Sequence, residues 1–358
     1  MPVNEPGFED RDLTGNVLIT GGAGFLGSQL TEEFLRNGSR VRIFDLAERP
    51  DWSMRPGVEY IRGDIRDGAA VGAAVERVDA VIHAAFASPR VDPRVIEEVN
   101  VAGARQVSLQ ARVRGVRRFV LISSTIVQRP PHAHPFLRRA GVSALDMYRK
   151  TRAEAEQVLT EQGRKDFHVA IVRPKTFVGA GRISAFTIVF DWIRRGKPVL
   201  LLGKAERPYQ LLEIRDMAEG IRLLAESDAE GVFHFGADRF GSLREDLQSL
   251  IDYAGTGSQL RFVPESLARA ILRGMELSGI TTPSELHYMS AWGKDSVADT
   301  SRAARELGWR PRWSNAEALR NAWDWYLGSI ATTGAARSIY PLPGSHRLLN
   351  KLIETVLR

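Results

Sequence analysis

Residues 16–27 read NVLITGGAGFLG, and this stretch decides the fold. Its first part, Asn16–Thr20, is a short apolar run, which favours a buried strand. A glycine-rich loop follows, and residues 28–37 then have the spacing of an amphipathic helix that ends at Gly38. The stretch therefore predicts a strand, a tight loop and a helix in direct succession.

The glycines of this loop have separate expected roles. Gly21 would permit the tight turn, Gly24 would let the backbone approach a phosphate, and Gly27 would let the helix pack close to the strand. An anion would then lie on the free N–H groups at the positive end of the helix. This arrangement is typical of a dinucleotide-binding site, and a purely structural turn is the alternative.

An acidic residue stands where such a site would use one. Asp45 ends the next predicted strand, VRIFDL at residues 41–46. A carboxylate there accepts hydrogen bonds from both adenosine ribose hydroxyls and repels a 2′-phosphate, so it favours NAD over NADP. Arg42 and Arg49 lie near enough in the sequence to keep NADP as the less favoured alternative.

Further apolar runs predict a parallel sheet. Because they alternate with helical segments, we expect an α/β fold, a Rossmann-type doubly wound parallel sheet with a smaller, mainly helical C-terminal substrate lobe. Strands are expected at 58–62, 80–85, 118–123, 169–172 and 232–235, and helices at about 68–77, 94–113 and 216–225. The predicted domains are an NAD-binding domain at 13–175, rejoined by 209–235, an interleaved substrate lobe at 176–208 and 236–330, and a C-terminal tail at 331–358.

The composition excludes several classes of protein. The chain has 358 residues, 44% of them hydrophobic, and no cysteine, which excludes disulfides and thiolate chemistry. The net charge is +6, but basic residues are scattered among acidic ones, so we predict no nucleic-acid partner. With no signal sequence or membrane-spanning run evident, we expect a cytoplasmic protein. The amphipathic helix predicted at 347–358 would pack on the body, with dimer or membrane contact as alternatives.

Several motifs, in this order, resemble one family. The chain is similar to the extended short-chain dehydrogenase/reductase family, the NAD-dependent epimerase/dehydratase group, over roughly residues 14–328. The matching segments are TGGAGFLG (20–27), the strand-ending Asp45, GDIRD (63–67), VIHAAFAS (81–88), VNVAGARQV (99–107), FVLISSTIV (119–127), Tyr148, IVRPKTFVG (171–179), LLEIRDMAEGI (211–221) and ADTSRAARELGWRP (298–311).

The resemblance implies a set of site residues. Tyr148 would be the acid/base and Ser124 its hydroxyl partner, although a one-residue slip would select Ser123 or Thr125 instead. Arg152 would stand at the position of a lysine that stabilises the tyrosinate. The residues implied to contact NAD are Gly21, Gly24, Phe25, Leu26, Gly27, Asp45, Asp64, Ile65, Ala84, Ala85, Tyr148, Arg152 and Pro174. We identify no metal-ligand cluster in the sequence.

The segment DMYRKTR, residues 146–152, departs from the family's pattern. Arg152 stands four residues after the tyrosine, where the family has lysine. Arginine keeps the positive charge but does not deprotonate in proteins, so it cannot take part in a proton relay as lysine does. Lys150 does not restore the pattern, because on a helix it points about 200° away from Tyr148. Gln128, where many members have tyrosine, is a second departure, and the two together put catalysis in question.

The substrate is less closely defined by the sequence. Sugar-nucleotide members of the family bind the substrate pyrophosphate with two arginines, but the matching positions here hold Tyr209 and a site near Met289. Residues 262–289 resemble instead the lobe of hydroxysteroid-dehydrogenase-like and flavonol-reductase-like members. Five aromatic residues are candidates either for an apolar substrate pocket or for the core, namely Phe86, Phe177, Phe186, Phe190 and Trp192.

Three functions follow from the resemblance. The preferred one is NAD-dependent hydride transfer at a secondary alcohol or ketone of a small-molecule substrate. The alternatives are an NDP-sugar 4-epimerase or dehydratase, and a catalytically silent NAD-binding protein. The family also implies a homodimer in which helices near 94–113 and 147–162 form a four-helix bundle.

Overall fold

A seven-stranded parallel sheet forms the centre of the computed structural model, which describes residues 15–87, 91–128, 144–182, 184–264, 266–267 and 296–333. The strands are β1 (Asn16–Thr20), β2 (Arg40–Asp45), β3 (Val58–Arg62), β4 (Ala80–His83), β5 (Arg118–Ile122), β6 (His168–Pro174), β7 (Thr176–Val178), β8 (Val199–Leu202), β9 (Leu211–Glu213), β10 (Gly231–Phe235) and β11 (Leu260–Val263). The helices are α1 (Phe25–Arg36), α2 (Gly68–Ala74), α3 (Pro93–Glu97), α4 (Ala104–Val113), α5 (Ala144–Thr160), α6 (Ala185–Arg194), α7 (Ile214–Ala225), α8 (Leu243–Ala254), α9 (Ser301–Leu307) and α10 (Asn315–Thr333).

The sheet has the strand order β3-β2-β1-β4-β5-β6-β10, and every pair in it is parallel. The order reverses between β1 and β4, and in such sheets ligands bind outside the carboxyl ends of the strands at this point. The predicted doubly wound Rossmann-type sheet is confirmed. The glycine loop, Ala84 and Ala85 all lie at this switch point, since they follow β1 and β4 directly.

Helices cover both faces of the sheet. On one face α1 and α7 bury side chains such as Phe34 and Met217 against the sheet. On the other face α4 and α5 bury side chains such as Val107 and Leu159. Strands β1, β4 and β5 are buried along nearly their whole length, which explains why they appear in the sequence as continuous apolar runs.

A second, smaller lobe is interleaved with the sheet domain. After β6 the chain forms β7, α6 and β8, and it returns to the sheet through β9, α7 and β10. The lobe has its own core, formed largely by α6, α8 and α10. It was predicted to be mainly helical, and it also contains a parallel pair of strands, β8 and β11, that was not predicted. Phe186, Phe190 and Trp192 lie in this core, each at most 4% exposed. Of the predicted C-terminal tail, residues 334–358 lie outside the described residues.

Helices α3 and α4 are joined by a π-helical turn at Glu98–Gly103. The sequence predicted one regular helix at 94–113, but the structure has a wider, π-helical turn within it. Its effect is to place Asn100, which is fully buried, against the neighbouring α5. Gly103 packs so closely on Ile65 that a Cβ atom would lie 2.5 Å from the isoleucine Cδ1 atom.

Asn315, at the start of α10, ties the lobe to the sheet domain. Its Oδ1 atom accepts a hydrogen bond of 2.8 Å from the backbone N–H of Leu211. Its Nδ2 atom donates to the carbonyl of Tyr209 at 2.6 Å and to the carboxylate of Asp246 at 2.7 Å. All of these groups are buried, so one amide side chain fixes β9, α8 and α10 relative to one another. Among the described residues, no helix is long and apolar enough to cross a membrane.

Candidate active site

The glycine loop has the close contacts expected from its sequence. Gly21 has a positive φ of 69°, and a Cβ atom there would lie 2.7 Å from the backbone of Ala85. A Cβ atom at Gly27 would lie 2.2 Å from the carbonyl oxygen of Gly22, so α1 packs directly on the loop. Gly24 directly precedes α1 and has no side chain to cap the helix. The first turn of α1 therefore presents free backbone N–H groups at the loop. This cradle fits the pyrophosphate of a dinucleotide.

Asp45 is half-buried at the end of β2 and holds the loop in place. Its two carboxylate oxygens accept hydrogen bonds from the backbone N–H groups of Ala23 at 3.0 Å and Ala47 at 2.9 Å. Both nearby arginines are held by protein groups. Arg42 donates to the carboxylate of Glu59 at 2.7 Å and to two backbone carbonyls, and Arg49 donates to the Ser53 carbonyl at 2.9 Å.

The other residues implied to contact the cofactor lie around the same edge of the sheet. Asp64 follows β3, and its hydrogen bonds from the Arg66 guanidinium hold the pKa of that carboxyl below its usual range. Ile65 is buried beside it. Ala84 and Ala85 follow β4, and the N–H of Ala84 donates to the Thr20 carbonyl at 3.1 Å. Phe25 and Leu26, in the first turn of α1, are half-buried.

Tyr148 and Arg152 lie one turn apart on α5, and both approach the sheet edge. The guanidinium carbon of Arg152 lies 3.4 Å from the centroid of the Phe86 ring and 4.8 Å from the centroid of the Tyr148 ring. Its Nη1 atom donates a hydrogen bond of 2.5 Å to the carbonyl of Ile122, at the end of β5. Arg152 is only 8% exposed, so it points into the protein. Lys150 is instead exposed and pairs with Glu154 at 3.4 Å. The helical spacing had predicted only that Lys150 points away from Tyr148.

The three consecutive hydroxyl residues after β5 have different partners. Ser123 is buried and hydrogen-bonds to Glu156, which also receives two hydrogen bonds from Arg173. Thr125 donates to the carbonyl of Pro174 at 3.3 Å. Ser124 is half-buried, and its Oγ atom accepts a hydrogen bond of 3.3 Å from the backbone of Ile126. Within the described parts of the chain, the Ser124 hydroxyl proton has no acceptor, whereas the Ser123 hydroxyl is engaged by Glu156. Gln128 is exposed.

His83 lies beneath this site, and its place in the sequence predicted no role for it. The ring is fully buried at the end of β4, and its Nδ1 atom lies 2.7 Å from the Thr20 hydroxyl. Burial, and secondarily the charge of Arg152, lowers the pKa of His83 to about 3, so the imidazole is neutral. Its ring packs against Phe86 with a centroid distance of 5.5 Å. The available signal was a histidine within the apolar run AVIHAA.

Asn100 is a second residue whose role could not be predicted from the sequence. Its Oδ1 atom accepts a hydrogen bond from the backbone of Ala87 at 2.8 Å, and its Nδ2 atom donates to the Thr151 hydroxyl at 3.0 Å. Asn100 thereby links the segment after β4 to the helix that carries Tyr148 and Arg152. The π-helical turn that buries it leaves no trace in the apolar periodicity.

Several buried polar groups lie close to Pro174 in the chain or in the fold. Lys175 donates to the hydroxyl of Ser296 at 2.6 Å, and both residues are buried. Tyr209 is also buried, and its hydroxyl lies 3.3 Å from that of Thr176. The position at which sugar-nucleotide members of the family would have an arginine thus holds a tyrosine, Tyr209. The second such position, near Met289, lies outside the described residues. The described residues contain no group of three His, Asp or Glu side chains arranged to hold a metal ion.

Comparison with known proteins agrees with this geometry. The model of the NAD-dependent epimerase/dehydratase family matches residues 17–236. An uncharacterised protein of Sinorhizobium fredii, y4nG, is 32% identical over 90% of this chain and 81% of its own length. A 3β-hydroxysteroid dehydrogenase/Δ5→4-isomerase of Mycobacterium tuberculosis is 26% identical over 89% of this chain and 93% of its own. A Thermus thermophilus UDP-glucose 4-epimerase solved with NAD is 25% identical, with a TM-score of 0.66 over 88% of this chain and 99% of that one. The chain belongs to the NAD-dependent epimerase/dehydratase family.

Proposed function

We propose that this protein is an NAD-dependent oxidoreductase that transfers a hydride at a secondary alcohol or ketone, with Tyr148 as the acid/base. One observation carries the proposal. A continuous set of contacts joins the glycine loop to the tyrosine helix, because Gly21 packs on Ala85, the next residue is Phe86, and Phe86 contacts Arg152 beside Tyr148. A loop that fits a dinucleotide and a tyrosine beside a buried cation thus share one edge of the sheet.

Each residue has a defined part in the proposed reaction. NAD supplies the hydride acceptor when bound. The Tyr148 phenolate accepts the proton of the substrate alcohol and becomes the neutral phenol, and the Ser124 hydroxyl donates a hydrogen bond to the same substrate oxygen. The positive charge of Arg152 stabilises the tyrosinate that the reaction needs, and arginine keeps that charge at every working pH. In the reverse direction Tyr148 returns the proton to the ketone oxygen.

Asp45 supports a preference for NAD over NADP. Its carboxylate is fixed by two backbone N–H groups, so its charge stays at the position where a 2′-phosphate would bind. Arg42 supports the same preference, because it is already bound to Glu59 and to the carbonyls of Ala74 and Glu76. It would have to break these bonds to neutralise a phosphate.

Tyr209 supports an alcohol or ketone substrate over a sugar nucleotide. A pyrophosphate is bound best by arginine forks, and the Tyr209 position offers a buried phenol instead. The NDP-sugar 4-epimerase or dehydratase remains the second candidate, since the Thermus thermophilus structure of the same family is a UDP-glucose 4-epimerase. A catalytically silent NAD-binding protein is the third.

We also propose a cytoplasmic homodimer. The support is an apolar surface on α3 and α4, where Val95, Leu109 and Val113 are 36%, 38% and 70% exposed. Helix α4 packs on α5, so two copies of this pair would form the four-helix bundle that the family resemblance implies. Replacement of Leu109 by glutamate is expected to shift the sedimentation coefficient from that of a dimer to that of a monomer, and a wild-type monomer would overturn this proposal.

The function is tested by calorimetric titration with NAD and NADP, followed by a substrate screen. We expect tight NAD binding and weaker NADP binding, and NADH absorbance released in proportion to an apolar secondary alcohol. Conversion of a sugar nucleotide without net NADH would establish the epimerase alternative. NAD binding without turnover of either class, unchanged in Arg152→Lys, would establish the silent protein. Failure to bind either nucleotide would overturn all three.

A further inference from the structure

Five side chains form a continuous stack between β1 and α5. The Thr20 hydroxyl fixes the His83 ring, the His83 ring packs on Phe86, Phe86 lies against the Arg152 guanidinium, and that guanidinium faces the Tyr148 ring. The stack runs along the carboxyl edge of the sheet, through the residues that follow β4. It contains Arg152, the residue that departs from the family pattern.

The contact between Phe86 and Arg152 is the closest of the three ring contacts in the stack. At 3.4 Å from the ring centroid to Cζ, the guanidinium and the ring are in van der Waals contact, well inside the limit of about 6 Å for a cation–π interaction. A guanidinium is planar and weakly hydrated, so it can lie against a ring face in a buried site. A lysine ammonium is a compact and strongly hydrated charge, and it gains less from this arrangement.

The Phe86 ring and the Ile122 carbonyl both contact the guanidinium of Arg152. The Ile122 carbonyl fixes one nitrogen, Nη1. The Phe86 ring lies against the guanidinium carbon and also packs on the His83 ring, which a hydrogen bond to Thr20 holds in place. A leucine at Phe86 would fill most of the volume but would offer no aromatic ring surface.

We infer that Phe86 is a positioning residue that holds the Arg152 guanidinium beside the Tyr148 ring, and that this contact lets an arginine occupy the family's lysine position. The inference rests on the proposed function for the role of Tyr148. It assigns Phe86 no contact with the substrate. If it is correct, a change of Phe86 affects the reaction only when Arg152 is present.

The first test follows the guanidinium directly. Wild type, Phe86→Leu, Phe86→Tyr and Phe119→Leu are labelled with phenylglyoxal, and the modification rate of Arg152 is measured by peptide mass mapping. Phe119 is a matched control, because it is a buried phenylalanine that also packs on His83, at 5.9 Å. We expect Arg152 to react roughly five- to tenfold faster in Phe86→Leu and at the wild-type rate in Phe86→Tyr and Phe119→Leu. Arg173, bound to Glu156, serves as the internal reference.

The second test is a double-mutant cycle on turnover. In the wild-type background, Phe86→Leu is expected to lower kcat roughly five- to tenfold with little change in the KM for NAD. In the Arg152→Lys background the same change should alter kcat less than about twofold, since the guanidinium is gone. Equal effects in the two backgrounds would show that Phe86 acts independently of Arg152, and would overturn the inference.

The two tests separate failure of the inference from failure of the proposed function. If no substrate is turned over but Arg152 labelling rises in Phe86→Leu alone, the proposed function fails and the positioning contact stands. If labelling of Arg152 is unchanged in Phe86→Leu, the inference is wrong whatever the turnover. Phe86→Met replaces Phe86→Leu if the leucine variant does not fold, and the same labelling outcomes apply to it.

Discussion

The carboxylate of Asp45 accepts a hydrogen bond from the backbone N–H of Ala23, so the end of β2 is tied to the glycine loop. One side chain therefore has two expected uses, to shape the loop and to carry a negative charge at the ribose. Replacement of Asp45 by alanine removes both. We expect NAD binding to weaken at least about tenfold, measured by calorimetry, because a charge-assisted hydrogen bond is lost.

Asp45→Asn separates these two uses, because an amide keeps an acceptor oxygen but loses the charge. We expect this variant to bind NADP more tightly relative to NAD than the wild type does. An unchanged ratio of the two affinities would show that the Asp45 charge does not select the cofactor.

Gly21→Ala is expected to abolish NAD binding. The new methyl group would lie 2.7 Å from the backbone of Ala85, and the residue would also be held at a φ of 69°, which costs an L-residue roughly 1–2 kcal/mol. Gly38→Ala is the matched control, since Gly38 has a φ of 85° but no heavy atom within 4 Å of the new Cβ. Both variants should lose stability in denaturant unfolding, but only Gly21→Ala should lose NAD in titration.

Tyr148→Phe is expected to lower turnover at least about a hundredfold, because the acid/base group is removed. NAD affinity should change little, since the ring that faces Arg152 is kept. Tyr253→Phe is the control, because that hydroxyl binds Asp324 on the surface of the lobe. Equal kcat values in Tyr148→Phe and the wild type would exclude Tyr148 as the acid/base.

His83 should make stability fall in mild acid. Its native-state pKa is lowered to about 3 from 6.5 by burial and by Arg152, so the native protein binds the proton less well than the unfolded chain. The contribution is complete above pH 6.5 and is lost as the pH falls from there toward 3, with a slope of at most about 1.4 kcal/mol per pH unit. The free energy of unfolding of His83→Gln, measured in urea from pH 7 to 5, should lack this slope. Parallel curves for wild type and variant would contradict the assignment.

Asp216 should give the opposite dependence. The carboxylate is buried and accepts hydrogen bonds from the backbone N–H groups of Arg312 and Trp313, yet burial raises its pKa from 3.8 to about 6. Its contribution is therefore largest below pH 3.8 and is lost as the pH rises through 6. Relative to wild type, Asp216→Asn should gain up to about 3 kcal/mol of unfolding free energy between pH 4 and pH 7, measured in urea. No relative change over this range would show that Asp216 titrates normally.

The fold was largely predictable because its central strands are buried on both faces. β1 and β3 begin and end at the predicted residues, and the predicted order of strands and helices matches the central sheet. The strand pair of β8 and β11 was missed, since both are short and lie in a lobe whose helices dominate the pattern. The sequence could not tell which aromatic candidates belong to the core and which to the site. In the structure Phe186, Phe190 and Trp192 are core residues, whereas Phe86 contacts Arg152.

The positions of the candidate site residues were predictable where they follow from sequence spacing. The i to i+4 relation predicted that Arg152 lies beside Tyr148 and that Lys150 points away from it, and the structure has this arrangement. The glycine spacing also predicted the close contacts that Gly21 and Gly27 make. The roles of His83 and Asn100 were not predictable, because each depends on partners far away in the sequence. Residue patterns record which face a side chain occupies, and they do not record which groups of another element meet it there.

The interleaved chain order also affects how the protein is made. Strand β10 completes the sheet beside β6, but the residues of β7, α6, β8, β9 and α7 are synthesised between them. A ribosome that adds about 5–20 residues per second therefore delivers β10 several seconds after β6. During that interval the nascent sheet ends at β6, and the backbone N–H and C=O groups on its open edge lack their final partner. Synthesis thus passes through a stage in which β6, an internal strand of the finished sheet, is an edge strand.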